Sequence, residues 1–384
     1  MTRDEAEHKA DSEAVEVGAR RCRDAEGVKR RVLIVGPTRY ALPLGESLRK
    51  KFDALGEHFD YRVLARGSGE EDGFRLLPSG LRFYAELPAR LARELRGFRP
   101  EAVLAQDPHT AAAAMVARML ARVRTPIVLE VHGNWRTAAR LYGSRGRRLL
   151  GPGSDVVAAA AVRRAEGVRT ISPYTTRLVR ELGREPDGVV PTFTDLDPFL
   201  IPPVPLPEHP AVLFVGVLER YKGIDELAAA WRLAAPRVPG ATLHVIGRGS
   251  RRRVVEELRE QVVWDEQTDA AGVAEALDRA WALVLPSRSE GMGRVILEAF
   301  CRNRAVVGSD VGGIADLVRD GENGLLVRPR DPRALANALV RLLSDCALAE
   351  RLGSGARTQV EPLLASPEDY ARRLREIVDA VVSR

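Results

Sequence analysis

Short apolar runs closed by glycine or proline recur along this chain, and a connector without any period divides them into two sets. The first set is Arg31 to Gly36, a run around Tyr61 to Ala65, Ala102 to Ala105 and Ile127 to Val131, with helical patterns near Glu46 to Leu55 and Thr110 to Arg122. The segment PTRYALPLG after the first run reads as a turn. The second set is Ala211 to Gly216, Thr242 to Gly247, WALVLP, and Ala305 to Asp310. Runs of four to six buried residues alternating with helices predict parallel sheets covered on both faces. Ligands of such sheets lie beyond the carboxyl ends of the strands. The predicted organisation is a mobile charged tail over 1–29, a first α/β domain over 30–195, and a proline-rich linker over 196–210. A second α/β domain over 211–365 and an amphipathic C-terminal helix over 366–384 follow. Asp331 and Pro332 suit a helix start, and Leu335, Leu339, Leu342 and Leu343 mark its buried stripe.

The chain of 384 residues is long enough for two or three domains. No apolar run approaches the roughly 20 residues of a membrane helix, and the first residues lack the apolar core of a signal peptide. Cys22, Cys301 and Cys346 have no CxxC spacing, so neither a zinc site nor a disulfide framework is indicated, and a cytoplasmic setting is expected. A net charge of +6 favours anionic partners, yet aromatics at 5% leave little for base stacking, and no nucleic-acid partner is expected. Leu76 to Arg99 and Thr137 to Leu150 mix arginine with Leu, Phe and Tyr. They read either as peripheral contacts with an anionic membrane or as ordinary arginine-rich helix faces.

The chemistry concentrates in Val284 to Ala299, VLPSRSEGMGRVILEA. Pro286 and Ser287 end a strand, and Arg294 to Phe300 has helical spacing with Val295, Ile296 and Ala299 on one face. Gly291 and Gly293 stand where the helix begins, so unpaired N–H groups face an approaching ligand without a Cβ in the way, which suits a phosphate. Eight helical residues rise about 12 Å, so Glu290 and Glu298 are too far apart to share a proton. They read as acceptors for hydroxyls on either side of a diphosphate, or else as a solvated loop residue and a surface helix residue.

The stretch from 283 to 343, with EGxG, the later glutamate, AVVGSDVGG and DGENGLLV, resembles the donor-binding region of the retaining family 4 glycosyltransferases. The resemblance implies the GT-B fold, two Rossmann-like doubly wound domains facing across a cleft, with DGENGLLV forming a hairpin. It implies that Glu290 binds the donor sugar, Glu298 the ribose, and the amides of Gly291, Met292 and Gly293 the sugar or diphosphate. Asn303 stands where the family usually has Gly, Ala305 where it has Pro, and Arg294 adds charge near the phosphates. FVGVLERYKG resembles the family's diphosphate clamp, placing Gly216 and Lys222 there; the clamp's arginine position is Val217, for which Arg220 or Arg294 would compensate.

EVHGNW resembles the family's V-H-G segment, which implies that His132 faces the cleft and contacts the donor sugar or the reacting centre; Asp107 and His109, in AQDPHTA at the end of the preceding strand, are expected to touch the acceptor. VVPTFTDLDPF replaces the family's interdomain Asn-Gly by Thr192-Phe193, and its Asp195-Leu-Asp197 is rejected as a metal-binding DxD because it lies at a domain junction. The implied activity is transfer of a sugar from a nucleotide-diphosphate-sugar, of UDP or GDP type, to a sugar, lipid-linked or small-molecule acceptor. His132, Lys222 and Glu290 would serve it without metal or cofactor. A sugar-nucleotide epimerase or phosphorylase on the same fold, and a non-catalytic basic domain, are the alternatives.

Overall fold

The computed structural model describes residues 28–69, 71–77, 81–137, 151–258 and 261–384. Most of the 1–29 tail, including Cys22, and most of the arginine-rich stretch 137–150 therefore lie outside the described residues. Among the described residues, strands β1 (Arg30–Ala41), β2 (Phe59–Ser68), β3 (Phe74–Leu77), β4 (Ala102–Ala105), β5 (Ile127–Val131), β6 (Gly167–Thr170) and β7 (Gly188–Val189) form one sheet. Its order is β3-β2-β1-β4-β5-β6-β7. Strands β8 (Ala211–Val215), β9 (Thr242–Ile246), β10 (Val262–Asp265), β11 (Ala282–Leu285), β12 (Ala305–Ser309) and β13 (Gly324–Val327) form a second, ordered β10-β9-β8-β11-β12-β13. Every strand pair is parallel. Both orders reverse direction beside their first strand, which opens the crevice where doubly wound sheets bind ligands.

Two expectations are corrected here. β1 does not end at Gly36 but continues through PTRYA, because Arg39, Tyr40 and Ala41 pair with Arg66, Gly67 and Ser68 of β2 after a register shift. The DGENGLLV stretch is no hairpin: Gly324–Val327 runs parallel to β12. At Asn303 the backbone is left-handed, φ 55°, a conformation asparagine tolerates better than other side chains, so it can stand where a glycine is usual.

The connector is also less free than its composition suggests. Leu196 and Phe199 are buried in the core of the second lobe. Arg302 and Arg304, both almost fully buried, hold its backbone by hydrogen bonds to the carbonyls of Ile201, Val204 and Pro205. Asp195 and Asp197 meet Lys50 at 3.1 and 2.6 Å, so they tie the connector to the first lobe. In Leu76 to Arg99, Phe83, Leu87, Leu91 and Leu95 face the core. Its helix therefore packs rather than presenting those apolar side chains to a membrane. No helix among the described residues is long and apolar enough to cross a membrane. Cys301 is buried and Cys346 exposed, both free thiols.

The second lobe ends in helix Cys346–Val360, and helix Pro367–Val382 then lies on the first sheet. Tyr370, Leu374, Ile377, Val378 and Val381 complete the cluster formed by Val32, Phe52, Phe59 and Val128. Arg30 and Arg375 both bond Asp379, and Arg375 reaches the carbonyl of His58 at 2.8 Å.

Candidate functional site

The carboxyl ends of the two sheets face each other across a cleft of about 660 Å³, lined among others by His109, His132, Asn134, Lys222, Glu290 and Gly291. On the second lobe, the loop after β8 turns through Gly216 into a single tight turn, Arg220–Lys222, closed by Gly223 in a left-handed conformation. This turn aims Lys222 at the loop after β11. Lys222 Nζ donates to Glu290 Oε2 at 2.6 Å, and Ser287 Oγ lies 3.4 Å from the same oxygen. Behind the turn, Arg288 N donates to the Tyr221 carbonyl at 2.7 Å while its guanidinium pairs with the buried Glu226. The pair braces Lys222 from inside the lobe.

Gly293, at φ 74°, starts helix Arg294–Cys301, as the glycines in EGMG predict. Gly291 lies directly against the first lobe: a Cβ there would stand 2.0 Å from the His132 carbonyl. Its own carbonyl accepts from Ser172 Oγ at 2.9 Å. Further along, Asp316 accepts from Tyr174 N at 2.6 Å and from Arg177 at 2.8 Å. Backbone contacts, a serine hydroxyl and the Arg177–Asp316 ion pair therefore join the lobes beside the site.

On the first lobe, His132 follows β5. Its Nε2 is 3.1 Å from Glu130 Oε2 and its Nδ1 is 3.4 Å from Thr192 Oγ1. Glu130 is buried, and its other oxygen accepts from Arg169, its partner across β5 and β6, which is fully buried. Burial alone would raise the Glu130 carboxyl, but Arg169 and then His132 hold it far below the ordinary carboxylate range. Asp107 and His109 line the same cleft, and each also has a partner within the first lobe. Asp107 caps helix Pro108–Ala121, accepting from the backbone of His109 and Thr110. Asp107 lies 3.5 Å from the His109 ring and keeps that imidazole protonated above its usual value, while Ser154 Oγ is 2.7 Å from its Nε2.

Of the residues singled out in the sequence, Asp107, His109, His132, Lys222, Glu290 and Gly291 thus share one cleft. Arg220 and Arg294 are exposed, without an ion pair within 4 Å among the described residues. The Met292 side chain turns away, toward a small apolar cavity with Leu297, Phe193 and Tyr370. Glu298 is half-buried on its helix and makes no hydrogen bond among the described residues. Burial pushes its carboxyl up to about 7, against the lowering effect of Arg294. Glu130, Arg169, Ser172 and Asp316 were not foreseen. For the first two a signal existed, since a lone charge inside an apolar run, IVLEV or GVRT, is costly unless paired.

Two families match the chain: "Glycosyl transferase 4-like domain" over residues 19–192 and "Glycosyl transferases group 1" over residues 209–345. Glycogen synthase from Mycobacterium tuberculosis is 34% identical over 155 residues, 39% of this chain and 37% of that protein. D-inositol 3-phosphate glycosyltransferase from Xylanimonas cellulosilytica is 34% identical over 207 residues, 47% of this chain and 49% of that protein. The matched stretches thus span less than half of either relative. Among solved structures, sucrose-phosphate synthase from Thermosynechococcus elongatus superposes with a TM-score of 0.74 at 22% identity, over 92% of this chain and all of that one. HepE of Anabaena, solved with UDP-glucose, superposes with a TM-score of 0.68 at 17% identity, over 92% of this chain and all of that one. At such identities these two likenesses establish the fold.

Proposed function

From a chain that belongs to the group 1 glycosyl transferases and has their GT-B fold, we infer a retaining, metal-independent transferase that takes a sugar from a nucleotide diphosphate. The observation that carries this reading is the Lys222–Glu290 pair, 2.6 Å apart, set across the cleft from His132. A lysine whose ammonium can pass from a carboxylate to a ligand phosphate gives a charge-assisted contact to the leaving diphosphate. Glu290, released from that pairing, accepts from hydroxyls of the donor sugar. The amides around Gly291, Met292 and Gly293 open the helix Arg294–Cys301 and present donors to the phosphates or sugar.

Glu298 is assigned to the ribose. A carboxyl that is desolvated and without a hydrogen-bond partner gains most from a ligand hydroxyl. Gly216 lies under the Lys222 stem, and Arg220 and Arg294 stand free to supply the charge absent at Val217. On this reading the leaving diphosphate takes the acceptor's proton on the face it departs from, and the protein contributes orientation and charge stabilisation. The acceptor, a sugar, a lipid-linked sugar or another small molecule, enters past the first lobe's loops. Relatives acting on glycogen and on an inositol phosphate are compatible with a hydroxyl acceptor of this kind.

Thermal unfolding of the full chain with UDP, GDP, ADP and their sugar conjugates tests the donor assignment. A ligand at 100 times its Kd adds about 2.7 kcal/mol of stability by mass action. The expected result is a shift with one nucleotide and its sugar, unchanged by EDTA, followed by a product of retained anomeric configuration. No shift with any nucleotide removes the donor site, inversion removes the mechanism, and an epimerised nucleotide-sugar without acceptor replaces the reaction.

A further inference from the structure

His132 leaves neither ring nitrogen without a polar neighbour. Nε2 faces Glu130 and Nδ1 faces Thr192, on two segments that are distant in sequence. One guanidinium holds both segments. Arg169 Nη1 donates to Glu130, Nε donates to the Val190 carbonyl at 3.0 Å, and Nη2 donates to the Pro191 carbonyl at 3.0 Å. Those carbonyls belong to the two residues immediately before Thr192. The Tyr370 hydroxyl lies 3.4 Å from Arg169 Nη1, with the guanidinium 5.2 Å from the centre of the tyrosine ring, and Lys51 Nζ sits 5.5 Å over that ring.

This arrangement is costly to build. Two opposite charges are taken out of water, and such a pair adds little to stability compared with apolar residues of the same size. A planar five-donor side chain earns its place when several acceptors must be fixed relative to one another. Here the acceptors are a carboxylate on β5 and two carbonyls of the segment that leaves the first lobe. Their common neighbour on the cleft side is the imidazole of His132.

We infer that Glu130 is the positioning residue of His132, holding Nε2 so that the other ring edge faces Thr192 and the cleft, and that Arg169 locks Glu130 and the 190–192 segment into one frame. The inference rests on the reading of His132 as a group that faces the donor. Glu130 touches no substrate; it acts through the imidazole, as carboxylates behind functional histidines fix tautomer and ring orientation. Because Val190–Thr192 leads into the interlobe connector and Tyr370 into the C-terminal helix, movement between the lobes reaches His132 through this frame.

The test uses the full chain with UDP-glucose or GDP-mannose, whichever stabilises it, and compares Glu130→Gln, Glu130→Asp and His132→Ala. Nucleotide release and the ¹⁵N shifts of the His132 ring are read together. Glu130→Gln should lower kcat about tenfold or more with KM for the nucleotide-sugar nearly unchanged, and should change the His132 tautomer pattern. In the His132→Ala background it should cost nothing further. Glu130→Asp keeps a charge opposite Arg169 while drawing the carboxylate back from Nε2, so it should fold even where Glu130→Gln does not, with a smaller loss and a shifted ring signal. Unchanged His132 signals in both variants overturn the proposal, as do losses that multiply in the double variant. Full activity in His132→Ala, together with His132 ring signals that change in the Glu130 variants that keep the histidine, overturns the reading of His132 instead and leaves the positioning intact.

Discussion

The wall of the cleft that bears His132 and the wall that bears Glu290 are built from different material. Behind His132 stand Glu130 and Arg169, a buried ion pair that fixes the imidazole through strong, directional contacts. Glu290 instead rides on a glycine-flanked loop, and the neighbour across the cleft is backbone: Gly291 against the His132 carbonyl. Its charged partner, Lys222, is partly open to the cleft. One wall holds its group in place before any ligand arrives. The other keeps Lys222 and Glu290 paired with each other and turns the bare backbone of Gly291 toward the first lobe, and on the proposed reading a ligand replaces that pairing. The difference teaches where to expect rigidity and where exchange.

The sharpest break in that comparison is Lys222→Ala. If the second wall supplies charge to the leaving group, kcat should fall about 100-fold, roughly 2.7 kcal/mol of transition-state stabilisation. Steady-state nucleotide release measures it, and an unchanged kcat removes Lys222 from the clamp. Gly291→Ala should come next, about tenfold in turnover, because a methyl 2.0 Å from the His132 carbonyl must part the lobes beside the reacting groups. Gly133→Ala is the matched control: its Cβ meets Gly291 Cα at an ordinary 3.9 Å, and activity near wild type is expected. Equal losses in both would show that the loops simply resist added bulk.

Glu298 yields a smaller effect with a definite sign. Its folded carboxyl binds a proton up to about 7, whereas an ordinary glutamate carboxyl titrates near 4.5, so between these values the folded protein binds more protons than the unfolded chain. The Glu298 contribution to stability is therefore lost as pH rises through that window, and Glu298→Gln should flatten this part of the ligand-free stability profile. Nucleotide affinity should show the opposite slope, strengthening as pH rises through 7 while the carboxylate forms, and Glu298→Gln should abolish that slope. Calorimetric titrations on both sides of neutrality decide it, and an affinity slope retained in the variant removes the ribose assignment. Smallest of all, Val217→Arg should raise nucleotide affinity two- to threefold at low salt and by less at high salt, since the position is exposed.

Much of the second lobe was readable from sequence because its strands are buried on both faces and contain almost nothing but apolar residues, as in AVLFV and ALVL. The donor loop was readable for a related reason: glycines at a helix start declare both a turn and an approach. The last residues of β1 were not, because PTRYA has turn chemistry and becomes a strand only through its pairing with β2. Asp107 was legible as a residue of the cleft but not as a helix cap, although a carboxylate immediately before a Pro-initiated helix is also what that helix needs, and it does both. The restraint of the connector by Arg302 and Arg304 depends on guanidiniums that come together with Ile201, Val204 and Pro205 from a hundred residues away. No local pattern carries that information.

The final helix also gives the order of synthesis a meaning. Residues 370–381 fill part of the first sheet's core beside Phe52, Phe59 and Val128, and Arg169 meets Tyr370 there. A chain emerging from the ribosome can form most of the first lobe early, but the part of one sheet face beside helix Glu46–His58 stays uncovered until the whole second lobe has been translated. Through that interval the nascent first lobe exposes apolar surface of the kind that recruits chaperones. A nascent chain stalled just short of Tyr370 would hold every residue that lines the cleft but not the helix that finishes the lobe bearing His132.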